Sequence, residues 1–332
     1  MYPVAQVRRR RDRASVPHQA MRFWVGTTDN DWFDFLSKHV PPVDEVNFWQ
    51  PSGKPLFKHM PEGTPFLFKL KAPLNCIAGG GYYVRNSALP LSLAWATFEQ
   101  KNGTASRFDF ERRLRRLHSF AEVRDPQILC NVLAQPFFWP REQWIHDPIG
   151  WSPNIVRGKA YDTADNEGAT LWQQVEARIH GRVLPAVTGL VAAEAHDGPR
   201  YGTPTVHRPR LGQGAFRVSV TEAYQRRCAM TGENTLLVLE AAHIKPYAED
   251  GPHTVSNGLL LRSDFHKLFD AGLVTVTPDL KVEVSPQIKA QYFNGKAYYR
   301  LHGQKLTVLP EREEMRPDPE LLRWHNETKF VG

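Results

Sequence analysis

Residues 240–272 hold the strongest chemical signal in the sequence, because His243, Asn257, His266 and Asp270 stand there at short intervals. A neutral imidazole is the side chain best suited to take a proton from water near pH 7, so His243 is the candidate general base. Side chains four residues apart share one face of a helix, so His266 and Asp270 are candidate ligands of one divalent cation. Asn257, in a Ser-Asn-Gly turn, is a candidate either for tying the connecting loop to the base or for supporting the metal shell.

Three short elements must position these side chains. The run LLVLEAAHI predicts a β-strand that ends near His243, and the run NGLLL predicts a second strand after Asn257. The run SDFHKLFD predicts a helix that carries His266. Glycine and proline residues between the strands are typical of a loop. A β-hairpin followed directly by a helix presents the three polar side chains to one point.

This segment resembles the HNH, or ββα-metal, nuclease family, in the branch that begins with AAHI and ends with NGLLL-x₄-H-x-LFDAG. The likeness extends from GQGAFR at Gly212 to RWHNETKF near the C-terminus. It implies one metal ion per site, Mg²⁺ or Mn²⁺, that stabilises charge on the scissile phosphate and its leaving 3′-oxygen. Carried over by position, it implies His243 as the base that activates water, Asn257 as the orienting residue and His266 as a metal ligand.

One position departs from the family pattern. Many HNH proteins place an aspartate or histidine ligand immediately before the first histidine, but Ala242 occupies that place here. Glu240 is one candidate for the missing ligand, because alternate residues of a strand point to the same face. Asp270 is the other candidate and is favoured, because the helix fixes its distance from His266.

Positive charge is distributed unevenly along the 332 residues, whose formal net charge is +7. Residues 1–22 contain six arginines and one aspartate, and residues 1–20 are expected to form a basic, disordered tail. A second arginine-rich stretch precedes the nuclease motif. The candidate contacts to DNA phosphates are Arg208, Arg210, Arg217 and Lys245.

Aromatic side chains and short apolar runs between turn signals predict a small β-barrel with peripheral helices in residues 21–165. The elements VNFW, EGTPFLFKL and IAGGGYY resemble the EVE branch of the PUA-like superfamily, relatives of the YTH and SRA modified-base readers. The resemblance implies a concave pocket for one base extruded from the duplex, walled by aromatic faces and read on its polar edge. The candidate pocket residues are Trp49 and Trp32 as walls, Asn47 and Asp31 as hydrogen-bonding groups, and Tyr82 nearby.

Together these features predict an α+β protein with two domains. A PUA-like (EVE/SRA-type) domain is expected at 21–165, a helix and linker at 166–211, and the ββα-metal HNH domain at 212–332. No run approaches the roughly 20 apolar residues of a membrane-spanning helix. No apolar segment follows the basic N-terminus, so a cytoplasmic location is expected.

The predicted function is a modification-dependent, type IV-like restriction endonuclease that acts on double-stranded DNA. The N-terminal domain would flip a modified cytosine (5-methyl- or 5-hydroxymethylcytosine), and the one-metal HNH site would hydrolyse a nearby phosphodiester. One HNH centre cuts one strand at a time, so double-strand cleavage favours a homodimer. Two alternatives stay open: a nuclease triggered by another modification or by none, and a non-catalytic reader of modified nucleic acid whose HNH site is degenerate at Ala242.

Overall fold

The computed structural model describes residues 20–51, 60–117, 123–181, 211–293 and 295–332. Within these ranges the chain is a mixed α+β structure with a seven-stranded sheet in its N-terminal part and a ββα unit in its C-terminal part. Residues 1–19 of the predicted tail and 182–210 of the predicted linker lie outside the described residues. Arg208 and Arg210 lie there as well.

The N-terminal part is built on one sheet with strand order β2-β5-β4-β3-β1-β7, and β6 pairs with β4. Its strands are β1 (Arg22–Thr28), β2 (Glu45–Asn47), β3 (Pro65–Leu70), β4 (Cys76–Pro90), β5 (Gln127–Phe138), β6 (Ile145–His146) and β7 (Gly158–Asp162). Its helices are α1 (Asn30–Ser37), α2 (Leu91–Phe98), α3 (Arg107–Leu117) and α4 (Asn166–Gly181). β1 and β3 run parallel, and the other pairs are antiparallel.

This sheet is open within the described residues, so the predicted closed barrel is not observed. The two end strands, β2 and β7, do not pair with each other. β2 pairs with β5, and β7 pairs with β1. The glycine run in β4 serves close packing against β5: a Cβ on Gly79 would lie 2.2 Å from the carbonyl oxygen of Phe137. The strand therefore needs glycine there for a structural reason.

Alternating side chains of β3 supply the cores on both faces of the sheet, as the sequence pattern predicts. Phe66, Phe68 and Leu70 pack in one buried cluster that also contains side chains of α1. Leu67 packs in a second cluster, which contains side chains of β1 and α4. The helices α1 and α4 therefore cover opposite faces of the sheet.

The C-terminal part contains the predicted hairpin and helix. Its elements are α5 (Gln213–Ala223), β8 (Leu239–His243), β9 (Gly258–Arg262), α6 (Ser263–Asp270), β10 (Val274–Val276), β11 (Val282–Val284), α7 (Gln287–Tyr292), α8 (Lys296–Tyr299) and α9 (Pro319–Thr328). β8 pairs with β9, and β10 pairs with β11. None of the helices in the described ranges is both long and apolar enough to cross a membrane.

Candidate active site

The ββα unit positions His243, Asn257 and His266. β8 and β9 pair antiparallel with His243 opposite Gly258, and α6 begins at the residue that follows β9. Arg262 stabilises the corner between β9 and α6 through a bidentate ion pair with Asp264, in which both N–O distances are 2.7 Å. This corner directs the first turns of α6 back across the hairpin.

His266 lies between the two carboxylates that the sequence offered as alternative ligands. Its Nδ1 is 2.7 Å from Glu240 Oε2, and its Nε2 is 3.3 Å from Asp270 Oδ2. An ionised carboxylate only accepts hydrogen bonds, so Nδ1 donates to Glu240. A neutral ring then presents the lone pair of Nε2 to Asp270. Two acceptors that face each other need a cation or a proton between them.

This donor set fits a divalent cation. Two ligands that bind one octahedral Mg²⁺ at neighbouring positions lie about 3.0 Å apart, close to the 3.3 Å between His266 Nε2 and Asp270 Oδ2. Across the described ranges, no group of three or more His, Cys, Asp or Glu side chains is arranged to hold a metal ion. Mg²⁺ commonly uses one or two carboxylates and completes its shell with water and substrate phosphate, so a small protein ligand set is sufficient.

His243 is held by an aromatic partner and is only partly exposed. Its ring stacks on Phe216 with centroids 3.8 Å apart and an interplanar angle of 9°. Its Nε2 is buried and has no hydrogen-bond partner within the described residues. Burial lowers the pKa of His243 to about 4, and the charges of His253 and His266 act in the same direction. The imidazole is therefore neutral at pH 7.

His253 is a second imidazole beside His243. The two ring centroids are 5.3 Å apart, and Tyr247 meets His253 edge-on at 4.5 Å. Both ring nitrogens of His253 are buried without a partner in the part of the chain that is described. The sequence places His253 in the connecting loop but gives no signal for its contact with His243, because loop conformation decides that contact.

Asn257 is fully buried and holds the loop that follows His243. Its side-chain amide donates to the carbonyl oxygens of Lys245 and Pro252, both at 2.9 Å. Its Oδ1 accepts from the backbone N–H of Lys245 at 2.9 Å. The side chain thus fixes both ends of the segment 245–252, next to the base.

The described phosphate candidates, Arg217 and Lys245, have different surroundings. Burial lowers the pKa of Arg217, while the charge of Glu240 acts in the opposite direction, so Arg217 lies within electrostatic reach of Glu240. The Lys245 ammonium lies 5.5 Å from the ring centroid of Trp324, and the Lys329 ammonium lies 5.7 Å from the same ring. Both lysines form cation–π contacts with Trp324.

Two of the candidate base-pocket residues point into the N-terminal core. Asn47 is fully buried and donates to Asn102 Oδ1 at 2.9 Å and to Cys130 Sγ at 3.3 Å. The Trp49 indole donates to the carbonyl oxygen of Asn102 at 2.9 Å, and its ring meets Phe110 edge-on. Both side chains therefore stabilise the turn at Asn102, and a base could reach the buried Asn47 only if this turn moved.

Trp32 is also buried, packed between Phe48 and Phe68 beneath Gly103. Asp31 is different, because it lines an open cleft of about 850 Å³ bordered by α1, the turn at 100–105 and α3. In this cleft Asp31 pairs with Arg113 at 3.4 Å. Tyr82 lies on β4 opposite Pro65 and is not among the residues that line the cleft.

The comparisons with known proteins assign a class to the C-terminal site. Residues 228–277 match the HNH endonuclease family. The solved structure of the modification-dependent TagI restriction endonuclease is 14% identical, covers 92% of this chain and 81% of its own, and has a TM-score of 0.27. Two mutant forms of the ZmASCH protein from Zymomonas mobilis are 9% and 8% identical, cover 46% of this chain and 96% and 94% of their own, and have TM-scores of 0.31 and 0.30. No curated protein matches the chain.

The family match contains His243, Asn257, His266 and Asp270. Residues 228–277 form an HNH endonuclease domain, and the chain is accordingly a DNA endonuclease by class.

Proposed function

We propose that the chain is a modification-dependent restriction endonuclease that recognises a modified cytosine in double-stranded DNA and hydrolyses a phosphodiester at its HNH site. The contact of His266 with both Glu240 and Asp270, next to the partly exposed His243, is the observation that carries the nuclease part of the proposal. A base and a candidate metal site stand together in this arrangement, as phosphodiester hydrolysis requires.

His243 is the proposed general base. The ring is neutral at pH 7 because burial lowers its pKa, and its Nε2 has no competing partner within the described residues. It takes the proton of the water that attacks phosphorus. Asn257 holds segment 245–252 in place, so it keeps the backbone beside the base from shifting.

His266 Nε2 and Asp270 are the proposed ligands of one Mg²⁺ or Mn²⁺ ion. The ion, when bound, would stabilise the charge that develops on the scissile phosphate and its leaving 3′-oxygen. Glu240 accepts the Nδ1–H of His266, which directs the Nε2 lone pair toward Asp270. Such carboxylate–histidine pairs commonly orient a metal-binding imidazole. Asp270 is therefore proposed as the ligand and Glu240 as the group that orients His266.

Phosphate contacts are proposed for Arg217 and Lys245, and for Arg208 and Arg210 outside the described residues. Arg217 lies near Glu240, and Lys245 follows the base by two residues. Positive side chains at these places would hold the DNA backbone across the ββα unit.

Modified-cytosine recognition is proposed for the cleft beside Asp31. Asp31 and Arg113 offer an acceptor and a donor at an open surface. Trp32, Asn47, Trp49 and Tyr82 remain proposed as pocket residues. Trp32 and Asn47 are buried and reach a base only if the turn at Asn102 opens. Base flipping supplies a reason for such an opening, because an extruded base needs an aromatic face on which to stack.

Matched plasmids with and without cytosine methylation test this function. The wild-type chain with Mg²⁺ or Mn²⁺ is expected to cut the methylated plasmid, and chelation of the metal is expected to stop the reaction. Equal cutting of both plasmids would exclude dependence on cytosine methylation. If the wild type and His243→Ala bind methylated DNA equally and neither cuts it, the chain acts as a reader alone.

A homodimer is proposed because one HNH site cuts one strand at a time. Sedimentation with methylated DNA is expected to show two chains per duplex, and a lone chain that makes only nicks would contradict the proposal.

A further inference from the structure

Helix α5 belongs to the cores of both parts of the molecule. Ala215 and Val218 pack in the cluster formed by β4, β5, α2 and α3 of the N-terminal part. Phe216, Val220 and Tyr224 pack in the core of the nuclease part. These three residues recur at intervals of four, so one face of α5 is committed to the nuclease and another to the N-terminal domain.

A buried carboxylate of the N-terminal sheet fixes the first turn of α5. Glu45 on β2 is fully buried, and its two oxygens accept the backbone N–H groups of Gly214 and Ala215 at 2.8 and 2.7 Å. The free N–H groups and the dipole at a helix N-terminus favour a negative charge. A Cβ on Gly214 would lie 2.9 Å from Glu45 Oε1, so the glycine allows the carboxylate to approach the backbone.

Lys101 keeps the Glu45 carboxylate in place from the other side. Its ammonium lies 3.0 Å from Glu45 Oε1 and 2.7 Å from Asp44 Oδ1. Burial opposes the charge of Lys101, but Glu45 and Asp44 together outweigh burial and raise its pKa. Asp44 is largely exposed, and the two backbone hydrogen bonds from the first turn of α5 go to Glu45 rather than to Asp44.

The residue that follows this capped turn contacts the proposed base. Phe216 comes directly after Ala215, and its ring stacks on His243 with centroids 3.8 Å apart. Gly258, opposite His243, leaves room for this packing, because a Cβ there would lie 3.0 Å from Phe216 Cζ and 2.5 Å from Val220 Cγ2. The position of α5 therefore determines where the imidazole lies.

We propose that Glu45 is a positioning residue for DNA cleavage: by holding the first turn of α5, it fixes Phe216 against His243, so the N-terminal domain sets the geometry of the base. The inference rests on the proposed function, in which His243 activates water. A small displacement of a reacting group reduces a rate strongly, because catalysis depends on its alignment.

Glu45→Gln, with Asp44→Asn as its matched control, tests the proposal in the full chain. Both variants remove one negative charge next to Lys101, but only Glu45→Gln alters the cap of α5. We expect Glu45→Gln to lower kcat by about tenfold with little change in KM, since alignment rather than DNA binding is affected. We expect Asp44→Asn to retain the wild-type kcat. Equal kcat values for the two variants, measured on folded protein, would overturn the proposal.

The imidazole itself gives a second readout that needs no activity. An aromatic ring stacked face to face shields the protons above it, so the ring protons of His243 should resonate upfield in NMR spectra of protein labelled at histidine. We expect this upfield shift to decrease in Glu45→Gln and to persist in Asp44→Asn. An unchanged shift in folded Glu45→Gln would contradict the proposal.

Phe216→Leu keeps the proposal testable if Glu45→Gln does not fold. The substitution retains an apolar side chain and removes the stacking on His243. A kcat lowered by about tenfold supports the proposal, and a wild-type kcat overturns it. The failure of this inference can be distinguished from the failure of the proposed function. A His243→Ala variant that still cuts DNA would refute His243 as the base. A fully active Glu45→Gln variant would refute only the positioning role of Glu45.

Discussion

The two parts of the molecule place their chemically active side chains in opposite ways. In the ββα unit, His243 and His266 remain partly exposed around one hairpin and one helix, and both carboxylate partners of His266 come from residues 240–270. In the N-terminal sheet, the side chains of Asn47 and Trp49 point inward and donate hydrogen bonds to Asn102. A short hairpin and helix can converge on a surface point without rearrangement. A site assembled on a large sheet depends on how distant turns cover it.

The largest effect is expected at the nuclease site. Asp270→Asn should remove a metal ligand, whereas Glu240→Gln should only weaken the hydrogen bond that orients His266. Because a bound cation supplies several kcal/mol, Asp270→Asn should lower the cleavage rate about 10³-fold. Glu240→Gln should weaken metal affinity by about tenfold, as outer-shell partners commonly do. Titration with Mn²⁺, followed by electron paramagnetic resonance, measures binding directly. If Glu240→Gln lost more Mn²⁺ affinity than Asp270→Asn, the roles of the two carboxylates would be exchanged.

Asn257→Ala should cause the next largest effect, on stability. The buried amide makes three hydrogen bonds to the loop backbone, and losing them leaves buried polar groups unpaired, at a cost of about 3 kcal/mol. Asn47→Ala in the other part should cost only about 1 kcal/mol, because one of its two partners is a weakly accepting sulfur. Urea unfolding of both variants gives this comparison. A loss of about 1 kcal/mol or less in Asn257→Ala would show that the loop at 245–252 does not depend on Asn257.

The sequence predicted the nuclease elements well because their chemistry is local. The apolar runs LLVLEAAHI and NGLLL indicated β8 and β9, and the four-residue spacing placed His266 and Asp270 on one face of α6. Glu240 was predicted only as an alternative metal ligand, and its pairing with His266 was missed, because it depends on how α6 crosses β8. Phe216 was missed although it lies in the GQGAFR segment, since its stacking on His243 depends on contacts between distant elements.

The N-terminal part was less predictable for the same physical reason. The alternation of Phe66 and Phe68 with Leu67 predicted a two-sided strand correctly. Whether a sheet closes into a barrel depends on which distant strands pair. The local sequence does not indicate that β2 and β7, the two end strands, do not pair with each other. The burial of Trp32 likewise depends on the turn at Gly103, which lies far away in sequence.

A smaller effect is expected at the cleft, where Asp31→Asn should reduce discrimination between methylated and unmethylated DNA. Losing one hydrogen bond of a charged group to an extruded base should change the ratio of the two affinities about tenfold. Asp34→Asn is the matched control, because Asp34 also lines the cleft but pairs with Lys38 on its own helix. Competition binding with paired duplexes measures the ratio. An unchanged ratio in Asp31→Asn would place recognition elsewhere in the N-terminal domain.

The smallest effect is a pH dependence confined to the nuclease core. Burial lowers the pKa of His325 to about 4, whereas an imidazole in an unfolded chain titrates near 6.5. The unfolded state therefore binds more protons than the folded state. The stability that the neutral His325 contributes is fully present above about pH 7 and is lost as the pH falls from about 6.5 toward 4. At pH 6 the expected loss is about 1 kcal/mol relative to pH 8. Urea unfolding at both pH values should show this loss in the wild type and a smaller one in His325→Phe; an equal loss in both would assign it to other groups.

Single-turnover cleavage by the wild type and by His243→Ala, at saturating methylated DNA and Mg²⁺, tests the central claim most directly. A general base contributes a factor of about 10²–10⁴, so the variant should bind the same DNA with unchanged affinity and cut it slower by that factor. A His243→Ala variant that cuts at the wild-type rate would contradict the assignment of His243 and with it the proposed hydrolytic site.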